Sequence, residues 1–348
     1  MKRLIDKLAA QHDLSDDEFL SLIMMDDAEA EEYLAVKADE ARQKIYGRDV
    51  YIRGLIEFTN YCKNDCFYCG IRKSNSCAQR YRLTQQQIMD CCREGYELGF
   101  RTFVLQGGDD PYFTAQRIAD IVKEIKVKYP DCAVTLSVGE RDMNTYQQWF
   151  DAGADRYLLR HETADKDLYS NLHPEDMSWE NRLDCLDNLK KIGYQVGCGF
   201  MVQTPGQTAE IILKDLRYIQ KLQPHMVGIG PYIPHKDTPM KDCAAGTAEL
   251  TLRLLAIIRL MLPQVLLPAT TALGTIKGDG RQLGMKHGAN VVMPNLSPTD
   301  VRSKYLLYNN KIATGEEAAE SLALLKASMS DVGYRVVTDR GDWKGGKL

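Results

Sequence analysis

Three cysteines, Cys62, Cys66 and Cys69, stand within eight residues of one another in the stretch EFTNYCKNDCFYCGIRKSN, spaced C-x3-C-x2-C. Thiolate sulfur ligates zinc and iron–sulfur clusters, and both usually take four protein donors. This tight pattern supplies three. Lys63, Asn64 and Asp65, between the first two sulfurs, are too polar for a core segment, so the loop is free to wrap a metal centre. A cubane 4Fe–4S cluster held by three thiolates keeps one iron open to the oxygen and nitrogen atoms of a ligand. A structural zinc site with Cys77 as fourth donor is the competing reading. Zinc sites normally join one C-x2-C to a second such pair or to a histidine pair, and neither follows downstream.

Other residues able to do chemistry sit at the ends of apolar runs. VLQGGDDPYF carries Gly107 and Gly108, which let a backbone approach a ligand closely, and then Asp109. YLLRHETAD carries Arg160, His161 and Glu162. Strand alternation puts Arg160 and Glu162 on one side and turns His161 away to packing or hydrogen bonding. Such an arginine meets a carboxylate as a planar fork, and such a carboxylate accepts from hydroxyls. Arg182 lies about one turn into the next helical stretch and can reach back toward this point. The bland alternative is a structural ion pair, Glu162–Arg182 or Arg160–Glu140. PATTALG offers Thr270 and Thr271, VVMPNLSP offers Met293 and Asn295, and Tyr305 follows, few polar groups in a mostly apolar setting. His235 and Asp237, in a Gly- and Pro-rich segment, read as loop-fixing groups. Seven further cysteines lack partner spacing: Cys91, Cys92, Cys132, Cys185 and Cys198 read as small buried residues, Cys77 and Cys243 as loop residues.

The elements that must position these residues follow a rhythm. From Val50 onward, eight β-type runs (VYIRGLIEF, RTFVLQG, CAVTLSVG, DRYLLRHE, YQVGCGFMV, MVGIGPYIP, VLLPAT and NVVMPN) alternate with helical stretches. The helical stretches stop at glycines such as Gly99, Gly153 and Gly193. The expectation is an α/β fold, a complete (βα)8 barrel, with an N-terminal helical extension over residues 1–46 made of two short helices. The barrel would occupy 47–348 with a C-terminal helical tail. Such barrels do chemistry at the carboxyl ends of their strands, and the unusual residues above all fall there.

Composition narrows the class. The 348 residues are 44% hydrophobic and 26% charged with a net charge of −4, so nucleic acid is not the expected partner. No run is apolar enough to span a bilayer, and the N-terminus reads as an amphipathic helix rather than a signal peptide, so the expected location is cytoplasmic. Ten cysteines in a reducing compartment point to metal, redox or burial rather than disulfides.

CKNDCFYCG, with Tyr68 directly before the last cysteine, resembles the radical S-adenosylmethionine (SAM) superfamily motif. Longer stretches, RGLIEFTNYCKNDCFYCGIR, DRYLLRHETAD, VGIGPYIPHKDTP, PATTALGTI and GANVVMPN, resemble the radical maturases of the [FeFe]-hydrogenase active site, the HydE family. The resemblance implies one 4Fe–4S cluster on Cys62, Cys66 and Cys69 and reductive cleavage of SAM to methionine and a 5′-deoxyadenosyl radical. It implies SAM contacts from Tyr68, Gly107, Gly108, Asp109, Glu162, Arg182 and Ile229. It implies a substrate chamber lined by Arg160, Thr135, Thr270, Thr271, Met293 and Tyr305. The implied partners are a small or organometallic sulfur- and iron-containing precursor, a reducing donor such as ferredoxin or flavodoxin, and other hydrogenase maturases. Asp109 stands where the superfamily usually has Glu. Some members carry a second cluster on C-terminal cysteines; NNKIATGEEAAESLALLKASMSDVGYRVV has none, so a single cluster is expected. The rival readings are a methylornithine synthase-like mutase, and, from another class, a passive iron–sulfur electron carrier or a scaffold. Biotin synthase is a poorer fit, because its extra cluster cysteines are missing.

Overall fold

The computed structural model describes residues 1–312, 315 and 317–345 of the chain. Eight parallel staves close into a barrel. The first is bent at Arg53 into two strands, Asp49–Ile52 and Gly54–Thr59. The next three are Thr102–Gly107, Ala133–Ser137 and Arg156–Leu158, the last prolonged by the bridge from Glu162 to Phe200. The fifth and sixth stutter: Gln195–Cys198 continues as Met201–Val202, and Met226–Val227 as Gly230–Pro231. The seventh is held only by the bridges Met226–Leu266 and Pro268–Val291, and the eighth is Val291–Val292. Closure is made where stave eight pairs with stave one, Tyr51 opposite Val291 and Leu55 opposite Asn295. All eight runs expected from the sequence are staves, and each is followed by a helix.

Helix starts follow their caps. Thr84, Thr114, Asp142, Ser178, Thr208 and Thr247 each accept a hydrogen bond from an N–H of the first turn that the helix itself leaves unpaired. Gly193 closes its helix at φ 111°, a conformation that a side chain would strain.

The N-terminal extension differs from expectation. It holds three helices, Lys2–Gln11, Asp16–Ile23 and Ala28–Tyr46, because Asp27 starts a third by accepting from Glu29 and Ala30 N–H. Buried Arg42 on the third helix fastens it to the barrel by donating to the carbonyls of Ala289, Gly47 and Asp49. The C-terminal tail also has more than helix. After Ala318–Asp331, the strand Arg335–Val337 pairs with Asp49–Ile52 in the gap between staves one and two. The chain then crosses the barrel floor. Asp342 takes the buried Arg156 guanidinium at 2.6 Å, Thr102 donates to the Arg340 carbonyl, and Trp343 meets His225 edge-on. The floor is thereby plugged, and the opposite end, where the staves finish, is left as the mouth.

Candidate active site at the barrel mouth

The loop that leaves stave one carries Cys62, Cys66 and Cys69, each half-buried. Arg80 organises it, donating to the carbonyls of Asn60, Ile71, Arg72 and Asn75. Asp65 ties Arg72 and Ser74 into the same turn. Gly70 is pressed between neighbours: a Cβ there would lie 2.1 Å from the Leu306 carbonyl oxygen and 2.4 Å from His235. Gly108 at the end of stave two is tighter against the thiols, since its Cβ would fall 2.1 Å from the Tyr61 carbonyl oxygen and 2.8 Å from Cys62 Cβ. The glycines are thus space-makers for the cysteine loop.

Among the described residues, no three His, Cys, Asp or Glu side chains converge tightly enough to hold a single metal ion. A cubane suits a looser set, because each thiolate binds a different iron at a corner of the cube. Cys77 is exposed, and Cys91, Cys92, Cys132, Cys185 and Cys198 are buried. Burial, then the neighbouring Cys62 thiol, pushes the Cys69 thiol up to about 12, and burial raises Cys62 and Cys66 as well. All three must shed a proton to take metal.

The Asp109 carboxylate lies between two cations. It pairs with Arg141 at 2.6 Å on one oxygen, and Lys63 Nζ stands 3.2 Å from the other in ion-pair range without hydrogen-bond alignment. The Asp109 backbone grips the cysteine loop: the carbonyl accepts from Lys63 N–H at 2.8 Å, and its N–H points at Cys62 Sγ at 3.4 Å.

Glu162 is one of three non-glycine residues around the mouth in the left-handed backbone region, with Gln203 and Asn310. It sits at φ 65°, is 8% exposed, and its Oε2 has no hydrogen-bond partner. Neither ion pair weighed above forms. Arg182 instead bonds Glu140 and donates to the Arg160 carbonyl at 2.8 Å. Burial works against the Arg182 charge, but Tyr169, Glu140, Glu162 and Tyr68 around it outweigh that and raise its pKa. The Arg160 guanidinium makes no ion pair among the described residues. His161 turns outward as expected, accepting from Gly199 N–H and facing Asp215 at 3.4 Å.

Three residues that the sequence pattern did not single out complete the wall. The helix Lys166–Leu172 brings His173 to Tyr68. His173 Nδ1 lies 3.0 Å from the Tyr169 carbonyl and so donates to it, which leaves Nε2 to accept from Tyr68 O–H at 3.3 Å. Burial, then Arg182, lowers the His173 pKa to about 3, so the ring is neutral. Met177 Sδ lies 3.7 Å from Cys66 Sγ. A histidine before a proline at a helix end has no periodicity to betray it.

Below the thiols the barrel encloses polar groups. Thr135 is fully buried with an unpartnered hydroxyl, and Arg53 is fully buried with Nε and one terminal nitrogen unpartnered, its other nitrogen 2.7 Å from Met226 Sδ. Glu57 receives Lys311 at 2.5 Å and Asn295 at 2.8 Å. Tyr305 accepts from Gln106 at 3.4 Å. Thr270 caps the helix Thr271–Ile276, and Thr271 takes Arg281. Met293 packs lower, with Tyr51, Met226 and Leu266. Ile229 is fully buried in the main apolar cluster, together with Val227. Glu57 within the apolar run GLIEFT was the available signal for this interior.

The Radical SAM superfamily model matches residues 56–219. The chain is 45% identical to the [FeFe] hydrogenase maturase subunit HydE of Thermotoga maritima, over 88% of this chain and 87% of the relative. It is 29% identical to 3-methylornithine synthase of Methanosarcina acetivorans, over 86% and 84%. A crystal structure of methylornithine synthase (PylB) superposes with a TM-score of 0.85 at 27% identity, covering 96% of this chain and 97% of that one. Among the described residues, no helix is long and apolar enough to cross a membrane.

Proposed function

The chain belongs to the radical SAM superfamily and, within it, to the HydE family of [FeFe]-hydrogenase maturases, and from that premise we propose a single-cluster enzyme that acts on a small sulfur- and iron-containing precursor of the hydrogenase di-iron site. Cys62, Cys66 and Cys69 hold the cluster. A 4Fe–4S cluster bound there would, once reduced, supply the one electron that reductive cleavage of SAM requires.

The chain's own residues do the rest. Gly107 and Gly108 bring backbone against the methionine end, and Asp109 fixes the loop rather than the ligand. Arg182, held by Glu140, turns a fixed positive charge toward the methionine carboxylate. The free Glu162 oxygen accepts from ribose hydroxyls. Tyr68, pinned by His173, and the backbone at Ile229 flank adenine. Arg160, Thr135, Thr270, Thr271, Met293 and Tyr305 surround a chamber that would hold the sulfur-containing precursor beside the 5′ carbon of SAM. Among the described residues Arg160 has no counter-ion and the Thr135 hydroxyl no partner, which supports a polar, anionic occupant there. The location is cytoplasmic, and neither nucleic acid nor membrane is a partner.

The observation that carries this reading is Glu162: a strained, buried carboxylate with a free oxygen, electrostatically coupled to Cys66, Cys69 and Arg182. The test is anaerobic reconstitution, then dithionite and SAM, with 5′-deoxyadenosine as readout. About four irons per chain are expected, and about eight would refute the single cluster. Glu162→Gln is expected to raise the SAM concentration needed by about 10- to 100-fold, the loss of charge-assisted bonds worth roughly 1.5–3 kcal/mol. An intact cluster that yields no 5′-deoxyadenosine would turn the reading to an electron carrier or scaffold.

A further inference from the structure

Cleaving SAM consumes one electron per turnover, and the chain's cysteine pattern supplies a single cluster to receive it. The electron therefore comes from outside, and its donor must come close, because transfer weakens steeply with distance. The segment that carries the three thiols is basic although the chain as a whole is acidic. Residues 61–82 carry five basic side chains, Lys63, Arg72, Lys73, Arg80 and Arg82, against one acidic one, Asp65, in a chain whose net charge is −4.

Arg80 and Arg72 are spent inside the loop, on its carbonyls and on Asp65, and the other three lie along its outer side. Lys73 N–H donates to the Asn64 carbonyl at 2.9 Å, which places Lys73 against the turn between Cys62 and Cys66. Lys63 follows Cys62 directly, its side chain 53% exposed. Tyr61 precedes it, and the Arg82 guanidinium stacks on the Tyr61 ring at 3.9 Å and on the Tyr112 ring at 4.6 Å. Arg117 stacks on the other flank of Tyr112 at 4.0 Å. Tyr61 and Tyr112 are 37% and 46% exposed, large rings left in water. Of the acids around the loop, Asp65 pairs with Arg72, Asp110 with Arg82, and Asp109 with Arg141 and Lys63, while Asp120 on the helix of Arg117 takes the Gln116 amide; Glu175 and Asp176, just before Met177 on the Cys66 side, are exposed. Exposed arginines interleaved with tyrosines are the composition of a binding face, and its sign fits an acidic partner.

We propose that this strip, Lys73–Lys63–Tyr61–Arg82–Tyr112–Arg117, docks an acidic one-electron carrier protein and delivers its electron to the cluster through the Cys62 side of the loop. The inference rests on the cluster assignment above. The donor loses one electron and the cluster gains one, with no proton or bond change in that step. Nucleic acid is disfavoured as the occupant by the chain's overall negative charge.

The test uses full-length reconstituted protein and an acidic 2Fe–2S ferredoxin as probe. Binding is followed by calorimetry and stopped flow at low and at physiological salt, for the native chain and for Lys73→Glu/Arg117→Glu. Neither substituted residue belongs to the site, and an acidic side chain in the first turn of the helix Ala115–Lys128 suits the helix dipole. Association is expected to slow with added salt and to fall about tenfold or more in the double variant. Ferredoxin-driven 5′-deoxyadenosine formation should fall with it, and dithionite-driven formation should stay as in the native chain. The proposal is overturned if ferredoxin does not bind, if binding ignores salt and the substitutions, or if dithionite-driven turnover falls equally. It is also overturned if a labelled single-stranded oligonucleotide occupies the strip and is lost in the variant. Failure of the native chain to make 5′-deoxyadenosine with dithionite would refute the enzymatic reading instead, while the binding measurements would still decide the docking face.

Discussion

Glu57 and Lys311 form an ion pair deep in the barrel, at 2.5 Å, with side chains 1% and 7% exposed. Glu57 lies on stave one, a few residues before Cys62. Lys311 closes the segment that runs across the mouth from Ser303, whose Leu307 carbonyl takes the Gly70 N–H and whose Lys304 carbonyl takes the Asn60 amide. Lys311→Met leaves Glu57 buried with Asn295 as its main remaining side-chain donor. Stranding one partner of a buried pair costs about 3–5 kcal/mol. A chain of 348 residues unfolds with an entropy near 0.7 kcal/mol per degree, so the melting temperature should fall by about 4–7 °C. Glu57→Gln should cost less, about 1–2 kcal/mol, because the amide can still accept from Asn295 and the lysine can swing toward solvent. The double variant should be more stable than the sum of the single losses, by about 1–3 kcal/mol of coupling. Thermal unfolding of the four proteins, followed by circular dichroism, measures this. Equal losses for the two single variants, or strict additivity, would refute the reasoning.

Three further outcomes are expected. Gly108→Ala has an ordinary backbone conformation but no room, so it should displace the cysteine loop, cost about 1–3 kcal/mol and lower iron per chain after reconstitution, whereas Gly228→Ala, with its nearest neighbour 3.9 Å away, should fold with normal iron content. Between pH about 6.5 and about 3 the unfolded chain takes up a proton at His173 that the folded chain refuses. Stability should therefore fall on acidification by up to about 1.4 kcal/mol per pH unit in that window, and His173→Gln should flatten this part of a melting-temperature profile. Asp342→Asn removes the charge opposite buried Arg156 and should destabilise the floor by about 2 kcal/mol or more, read as a lower urea midpoint with an unchanged slope.

Much of the architecture was legible because it rests on local rules. Alternating β-type and helical periods, with glycine stops and Ser, Thr and Asp caps, mark each unit wherever the chain goes in space. The same alternation turned His161 to hydrogen bonding, as the structure has it with Gly199 N–H. The third N-terminal helix was missed because its start is a single Asp27 in a uniformly helical composition. The floor plug was missed because RVVTDRGDW has no long period, and its value comes from Arg156 and Thr102, far away in sequence.

The sequence by itself determined the thiol loop, the eightfold rhythm and the end of the barrel where chemistry belongs, since spacing and periodicity are properties of neighbouring residues. Only the tertiary structure decided which charges pair: Arg182 with Glu140, Asp109 with Arg141, Glu57 with Lys311, and Glu162 with a free oxygen. The physical reason is that a side chain's partner and its desolvation depend on elements brought together across the barrel, and no one-dimensional pattern encodes that distance.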